Sequence, residues 1–295
     1  MITLPTYSYS LNELQTRIEA IKNQPLENFS SEKEAIRFAL HCIDLTTLEG
    51  IDNTEKIELL CKNAKHYQTA AVCVYPVFIN EAKQLLKNTP IKVASVAGAF
   101  PHGQSPIEVK VAEVEYAVAQ GADEIDMVIS RGLFLEEKYE IVFDEIAAIK
   151  KASQQARLKV ILETGELIEP DLIYKASLLA MHAGADFIKT STGKIAINAT
   201  PEAFLVMLDA IYQFYNETKK QIGIKPAGGI TDVNTTLLYL KLLEKTLSIN
   251  WLTNEFLRIG ASRLAAHLYN FLESYKKNTQ IDCKSKKCIS LPRLT

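Results

Sequence analysis

Short apolar, β-branched runs alternate along the chain with longer stretches in which apolar side chains recur every three or four positions. The short runs fall at residues 42–45, 71–75, 91–96, 124–129, 158–163, 187–189, 222–225 and 257–259. Each is bounded by polar or turn residues and predicts a strand. The stretch 136–152 has the other period: Tyr139, Phe143, Ile146 and Ile149 form one apolar stripe on a predicted helix. Strands alternating with helices imply βαβ units and a parallel sheet. Eight such strands in one chain predict the α/β class as a single (β/α)8 TIM barrel. An open doubly wound sheet would favour a glycine-rich turn after its first strand. After Asp44 the chain instead runs Leu45-Thr46-Thr47-Leu48, without GxGxxG, which counts against a dinucleotide fold.

Ahead of the barrel, Leu11, Leu14, Ile18 and Ile21 recur at helical spacing behind Ser10 as an N-cap. Residues 1–34 therefore read as a helical lead-in with a loop at 24–31, residues 35–277 as the barrel, and 278–295 as a basic, mobile tail. Gly121-Ala122-Asp123 and Gly184-Ala185-Asp186 each sit between a helical pattern and a strand. A glycine there suits the left-handed position that ends a helix, so the echo predicts two similar units.

Composition narrows the function classes. The chain of 295 residues is 47% hydrophobic and 23% charged, with 33 basic and 35 acidic residues and a net charge of −2. It has the makings of an ordinary folded domain, with no charge excess directed at nucleic acid or an anionic membrane. The longest apolar run, residues 70–79, contains Pro76 and is well short of the roughly 20 residues a membrane helix needs. The N-terminus does not read as a signal peptide. Five cysteines form no CxxC pair and five histidines no HExxH motif, so the expectation is a reduced, cytoplasmic, metal-free protein.

Function in such a barrel sits at the C-terminal ends of the strands. There the chain places Asp44 and Thr46, Cys73, Asp126, Glu163, Lys189 and Lys225. Two lysines closing adjacent strands need an explanation, because lysine is almost never buried without a partner. One is a Schiff-base nucleophile whose amine is kept neutral by burial and a neighbouring cation. The other is a pair of structural bridges to carboxylates such as Asp126 and Glu163. Cys73 reads as a small buried hydrophobe as readily as a pocket residue. Thr192-Gly193-Lys194, Gly228-Gly229 and Gly260-Ala261-Ser262 follow three consecutive strands, where barrels often bind phosphate.

Several stretches together resemble deoxyribose-phosphate aldolases. They are Asp44–Leu48, Gly121–Asp126, Glu163–Leu167, Phe187-Ile188-Lys189-Thr190-Ser191-Thr192-Gly193-Lys194, Ile224-Lys225-Pro226-Ala227-Gly228-Gly229 and Arg258–Ser262, in consistent order from about residue 41 to 270. The resemblance implies a class I aldolase that cleaves 2-deoxy-D-ribose 5-phosphate to D-glyceraldehyde 3-phosphate and acetaldehyde, reversibly, without metal or cofactor. Lys189 then matches the Schiff-base lysine, Lys225 the lysine that lowers its pKa, and Asp126 the aspartate that handles protons. Asp44, Thr46, Cys73 and Thr192 match positions around the substrate, and Gly193, Lys194, Gly228, Gly229, Gly260 and Ser262 the phosphate site. The chain departs from the pattern at Thr231, where some members carry arginine, and at Arg263, which stands where some have serine or threonine. Arg263 is therefore expected to join the phosphate site. Some members also end in a tyrosine, whereas the last tyrosine here is Tyr275. The alternatives are a sibling Schiff-base aldolase for another sugar phosphate, or a catalytically silent phosphate-binding barrel. Expected partners are small sugar phosphates and aldehydes, with a homodimer as the expected assembly.

Overall fold

The computed structural model describes residues 2–286. Helices α1 (Leu11–Lys22) and α2 (Glu32–His41) precede β1 (Ile43–Thr46). There follow α3 (Thr54–Tyr67), β2 (Ala71–Val74), α4 (Ile79–Leu85), β3 (Lys92–Val96), α5 (Ile107–Ala119), β4 (Glu124–Val128), α6 (Arg131–Leu135), α7 (Tyr139–Ala152) and β5 (Arg157–Ile161). The chain continues with α8 (Thr164–Leu167), α9 (Pro170–His182), β6 (Phe187–Lys189), α10 (Pro201–Thr218), β7 (Gly223–Lys225), α11 (Val233–Thr246), β8 (Ile259–Ala261) and α12 (Leu264–Lys286). All pairings are parallel, in the order β7-β6-β5-β4-β3-β2-β1-β8. Parallel bridges Ile224–Leu257 and Ala227–Gly260 join the two ends of that order and close the ring. The result is the (β/α)8 TIM barrel that the alternation predicts. Among the described residues no helix is long and apolar enough to cross a membrane.

Most strand edges move by a residue or two from their sequence positions. The largest shift is the last: the apolar run 257–259 points to a strand that the structure places at Ile259–Ala261. Asp44 pairs there with Gly260 and Leu45 with Ala261. Glycine and alanine carry little strand propensity, so this register was hidden until β1 was in place. The predicted helix 136–152 is α7, which starts at Tyr139 because Glu137, at a positive φ of 59°, separates it from the short α6. Helix α2 runs across the expected boundary at residue 34. Helix α12 continues to Lys286, and the rest of the expected tail, 287–295, lies outside the described residues.

The lead-in follows from its caps. The Ser10 hydroxyl accepts a bond from Glu13 N–H, and the Glu13 carboxylate accepts one from Ser10 N–H at 2.8 Å, which satisfies two orphan donors of α1 reciprocally. Leu14 and Ile18 are buried, and α1 packs on α10 and α11.

The two Gly-Ala-Asp units prove to be the same device. Gly121 (φ +96°) and Gly184 (φ +107°) take the left-handed conformation after α5 and α9. Ala122 N–H reaches back to Ala117 O at 3.1 Å, and Ala185 N–H to Ala180 O at 3.0 Å. These bonds satisfy carbonyls left open at the helix ends. Each aspartate then braces the start of its strand to the strand before. Asp123 accepts from Val93 N–H at 2.8 Å and Asp186 from Leu158 N–H at 2.8 Å, and each carboxylate also takes a lysine, Lys83 or Lys150.

The strands are buried on both faces, and alternation assigns the faces. In β4, Ile125 and Met127 join the core between barrel and helices, while Glu124 and Asp126 meet partners across the barrel axis. Cys73, Ala94 and Val96 form a separate interior cluster with Leu48. At the floor, the Phe187 ring occupies the space left by Gly223, where any Cβ would collide with it. Gly223→Ala should therefore cost about 1–3 kcal/mol of stability by overpacking. Urea unfolding checks this, and Phe187→Leu in the same background should recover part of the loss.

Candidate active site

The barrel interior carries charge where a core would normally be apolar. Asp44 comes from β1, Glu124 and Asp126 from β4, Lys159 from β5, Lys189 from β6, Lys225 from β7, and Arg258 from the residue before β8. All seven are 3% exposed or less. Each strand supplies them at alternate positions, so they share the inward face.

Asp126 is the hub. Its Oδ2 accepts hydrogen bonds from Lys189 Nζ and Lys225 Nζ, each at 2.7 Å, and its Oδ1 accepts one from Lys159 Nζ at 3.0 Å. Lys225 Nζ also lies 2.5 Å from Asp44 Oδ2, and Lys159 Nζ 2.5 Å from Glu124 Oε2. Arg258 spans the floor: Nη1 donates to Asp44 at 2.8 Å and to Glu124 at 3.0 Å, and Nη2 donates to Glu124 at 2.8 Å. The Phe187 ring backs this layer, with Lys159 Nζ and Arg258 Cζ each 6.0 Å from its centroid, at the outer reach of a cation–π contact.

The ionic groups do not balance. Lys159, Lys189, Lys225 and Arg258 are four cations, and Asp44, Glu124 and Asp126 are three carboxylates. Burying an uncompensated charge is costly, so one group tends to neutralise instead. Burial opposes ionisation of Asp44 and Asp126, but the surrounding cations outweigh it and hold both carboxyls well below the usual carboxylate range. Burial likewise acts against the ammonium groups of Lys159 and Lys225. Their carboxylates outweigh it, Asp126 and Glu124 at the first, Asp126 and Asp44 at the second, and both pKa values are raised. Lys189 goes the other way. Its burial is opposed by a single carboxylate, Asp126, and reinforced by the Lys225 charge, so its pKa falls. The surplus cation is therefore Lys189.

Above this layer the strand ends enclose a cavity of about 150 Å³. Of the residues singled out in the sequence, Thr46, Lys189, Thr192, Gly193, Lys194, Gly228, Gly260 and Ser262 line it. Lys189 is the one interior lysine among these lining residues. Asp44, Asp126 and Lys225 lie beneath it, fully buried. Cys73 sits in the apolar interior cluster, and burial pushes its thiol up to about 11, as expected of a packing residue. Gly229 and Arg263 are not among the lining residues, and Arg263 is exposed beside Ser262.

Glu163 does not bridge the lysines. Its carboxylate accepts from Thr192 N–H at 3.1 Å and Thr192 Oγ1–H at 2.6 Å, and the Arg131 guanidinium lies 3.7 Å away. Thr192 Oγ1 in turn accepts from Lys194 N–H at 3.1 Å. The Thr192–Lys194 turn is thus held from below, and Lys194 Nζ donates to Glu49 at 3.0 Å across the mouth. Sequence reading missed Lys159, Glu124, Arg258 and Glu49. Period-two alternation was a signal for Glu124, two residues before Asp126. A lone lysine inside the apolar run of β5 was a signal for Lys159.

Fold and site together are those of an aldolase built on a TIM barrel. The chain belongs to the DeoC/LacD family of aldolases, whose profile matches residues 38–247. It is 45% identical over 248 residues to the human deoxyribose-phosphate aldolase and 44% identical to the Bos taurus enzyme, with 78% of each chain covered. Among solved structures it resembles the tetrameric deoxyribose phosphate aldolase of Aeropyrum pernix at a TM-score of 0.69 and 27% identity, over 88% of this chain and 97% of that one.

The carboxylates carry a pH signature. A group whose pKa is depressed by folding contributes stability above its unfolded pKa and loses it as pH falls through the folded value. Asp44→Asn should therefore destabilise the protein by roughly 3–5 kcal/mol at neutral pH, because Lys225 and Arg258 each lose one of two buried counter-charges. That deficit should shrink as pH falls below about 4, where Asp44 of the unfolded wild-type chain takes up its proton while the folded carboxyl stays ionised, and it should vanish only once pH falls through the depressed folded value. Guanidinium unfolding of both proteins at neutral and acid pH measures it.

Proposed function

We propose that the chain is a deoxyribose-phosphate aldolase that works through an imine on Lys189. The observation that carries this reading is that Lys189 both lines the mouth cavity and holds the surplus positive charge of the interior. It is the interior lysine with an accessible, neutralisable amine.

In the cleavage direction the neutral Lys189 amine attacks the C1 aldehyde of open-chain 2-deoxy-D-ribose 5-phosphate. Loss of water with uptake of one proton from solvent leaves a protonated imine, and that proton is returned on hydrolysis. The proton of the C3 hydroxyl departs toward Asp126, and the C2–C3 bonding pair moves into the imine to form an enamine. C3 leaves as the aldehyde carbon of D-glyceraldehyde 3-phosphate. Protonation of the enamine at C2 and hydrolysis release acetaldehyde and regenerate Lys189. The imine is the electron sink, so the scheme calls for no cofactor. Asp126 is a weak base because the ammonium groups of Lys159 and Lys225 and the protonated imine on Lys189 surround it. It suits passing the proton on through water better than keeping it. Lys225 stays charged between Asp44 and Asp126, and its charge disfavours the ammonium form of Lys189.

The phosphate falls to the other side of the cavity, on Gly193, Lys194, Gly228, Gly229, Gly260 and Ser262, with Thr46 and Thr192 beside the sugar. Lys194 is held by Glu49, an exposed pair that an arriving dianion can displace, since such pairs are worth about 0–1 kcal/mol. Arg263 can swing to the phosphate from its exposed position and clamp it bidentately. We place this enzyme in the cytoplasm, in deoxynucleoside sugar catabolism, as a homo-oligomer. The last is supported by the tetramer named for the Aeropyrum pernix relative.

Borohydride reduction in the presence of substrate, followed by peptide mapping, should label Lys189, and Lys189→Ala should abolish label and activity together. Lys225→Leu should move the acid limb of the trapping profile to higher pH. A label on Lys225, or an active Lys189→Ala enzyme, would reject the assignment. Arg263→Ala should raise KM for the phosphorylated substrate about tenfold, which is about 1.4 kcal/mol of binding, and leave free deoxyribose nearly unaffected. Steady-state kinetics on the two sugars decides this.

A further inference from the structure

The proton balance at Lys189 depends on groups well below the reacting atoms. Lys189 faces Asp126 and Lys225 directly, with Cys73 from β2 close by. Behind those lie Lys159 on β5, Asp44 on β1, Glu124 on β4 and Arg258 before β8. Every carboxylate among them is shared. Asp126 takes three lysines, Asp44 takes Lys225 and Arg258, and Glu124 takes Lys159 and Arg258. Arg258 and Glu124, neither of which lines the cavity, add one cation and one anion to the cluster and so leave its excess at one while setting how the carboxylates are shared.

We infer that Arg258 and Glu124 form a positioning pair on the barrel floor that determines which interior lysine gives up its proton. Arg258 grips Glu124 through both Nη atoms and Asp44 through Nη1. This aims Asp44 at Lys225, which stands between Asp44 and Asp126. Lys225 is thereby saturated with carboxylate. Lys189, with a share of Asp126 alone, is left as the cation without a full counter-charge. The floor acts through this chain of contacts and touches no substrate. The inference rests on Lys189 as the imine-forming residue.

Charge compensation tests it. Removing the floor cation brings the interior to three against three, and the reason for Lys189 to lose its proton weakens. Removing the floor anion does the opposite. Each single variant leaves its former partner another counter-ion: Lys159 still meets Glu124 in Arg258→Met, and Arg258 still meets Asp44 in Glu124→Gln. The readout is the pH midpoint of borohydride trapping on Lys189 with deoxyribose 5-phosphate, in the full chain. Arg258→Met should move the acid limb up by about one pH unit, and Glu124→Gln should move it down by about as much. The double variant should return to within about half a unit of the parent. Arg258→Lys keeps the charge and should keep the parent midpoint, so the idea remains testable if Arg258→Met fails to fold. A purely structural floor predicts shifts of one sign or none, with the double variant further from the parent than either single. That result overturns the inference. Absence of label on Lys189 in the parent enzyme would instead remove the imine reading beneath it.

Discussion

One carboxylate, Asp126, holds the barrel interior together. Three lysines from three strands converge on its two oxygens. Desolvating such a group is expensive, and its attraction to nearby cations offsets that cost only when geometry and hydrogen bonding are good. The closed ring of parallel strands supplies that geometry, because inward positions at one level meet near the axis. The interior is therefore an ionic lattice with one cation too many. That excess is what sets the Lys189 amine apart from its neighbours. It is a property of the whole cluster, and Lys189 taken alone does not explain it.

The apolar framework makes this tolerable. The core between strands and helices is continuous around the barrel, from Leu14 on α1 to Leu268 and Leu272 on α12, and it bears the stability that the interior does not. Inside, the two halves differ. Cys73, Ala94 and Val96 line the β2–β3 side with small apolar groups, while β4 through β8 and β1 carry the charges. The interior thus has a charged flank that includes Lys189 and an apolar wall opposite it.

The mouth is held by a second set of contacts. Glu163 has an uncommon left-handed backbone, φ +58°, and a fully buried carboxylate spent on Thr192. It fixes the turn between Lys189 and Lys194. The spacing of Lys189 and Lys194 is therefore built into the backbone, which is the kind of pre-organisation that holds two groups of a site at a fixed separation.

The sequence by itself determined the alternation that makes the barrel, the Ser10 cap of α1 and the glycines that end the helices before the two Gly-Ala-Asp strands, because these depend on neighbours a few residues apart. It also marked Lys189, Lys225 and Asp126, since charged residues inside short apolar runs stand out locally. Lys159, Glu124 and Arg258 were passed over, although the first two carry the same local mark. What made them matter was invisible along the chain. Arg258 meets Asp44 across 214 positions and Glu124 across 134, and only barrel closure brings those strand ends face to face. Which lysine is left short of a counter-charge is a sum over seven side chains gathered from β1, from β4 through β7 and from the residue before β8. Electrostatic energy depends on distances in space and on exclusion of water, and tertiary structure alone sets both.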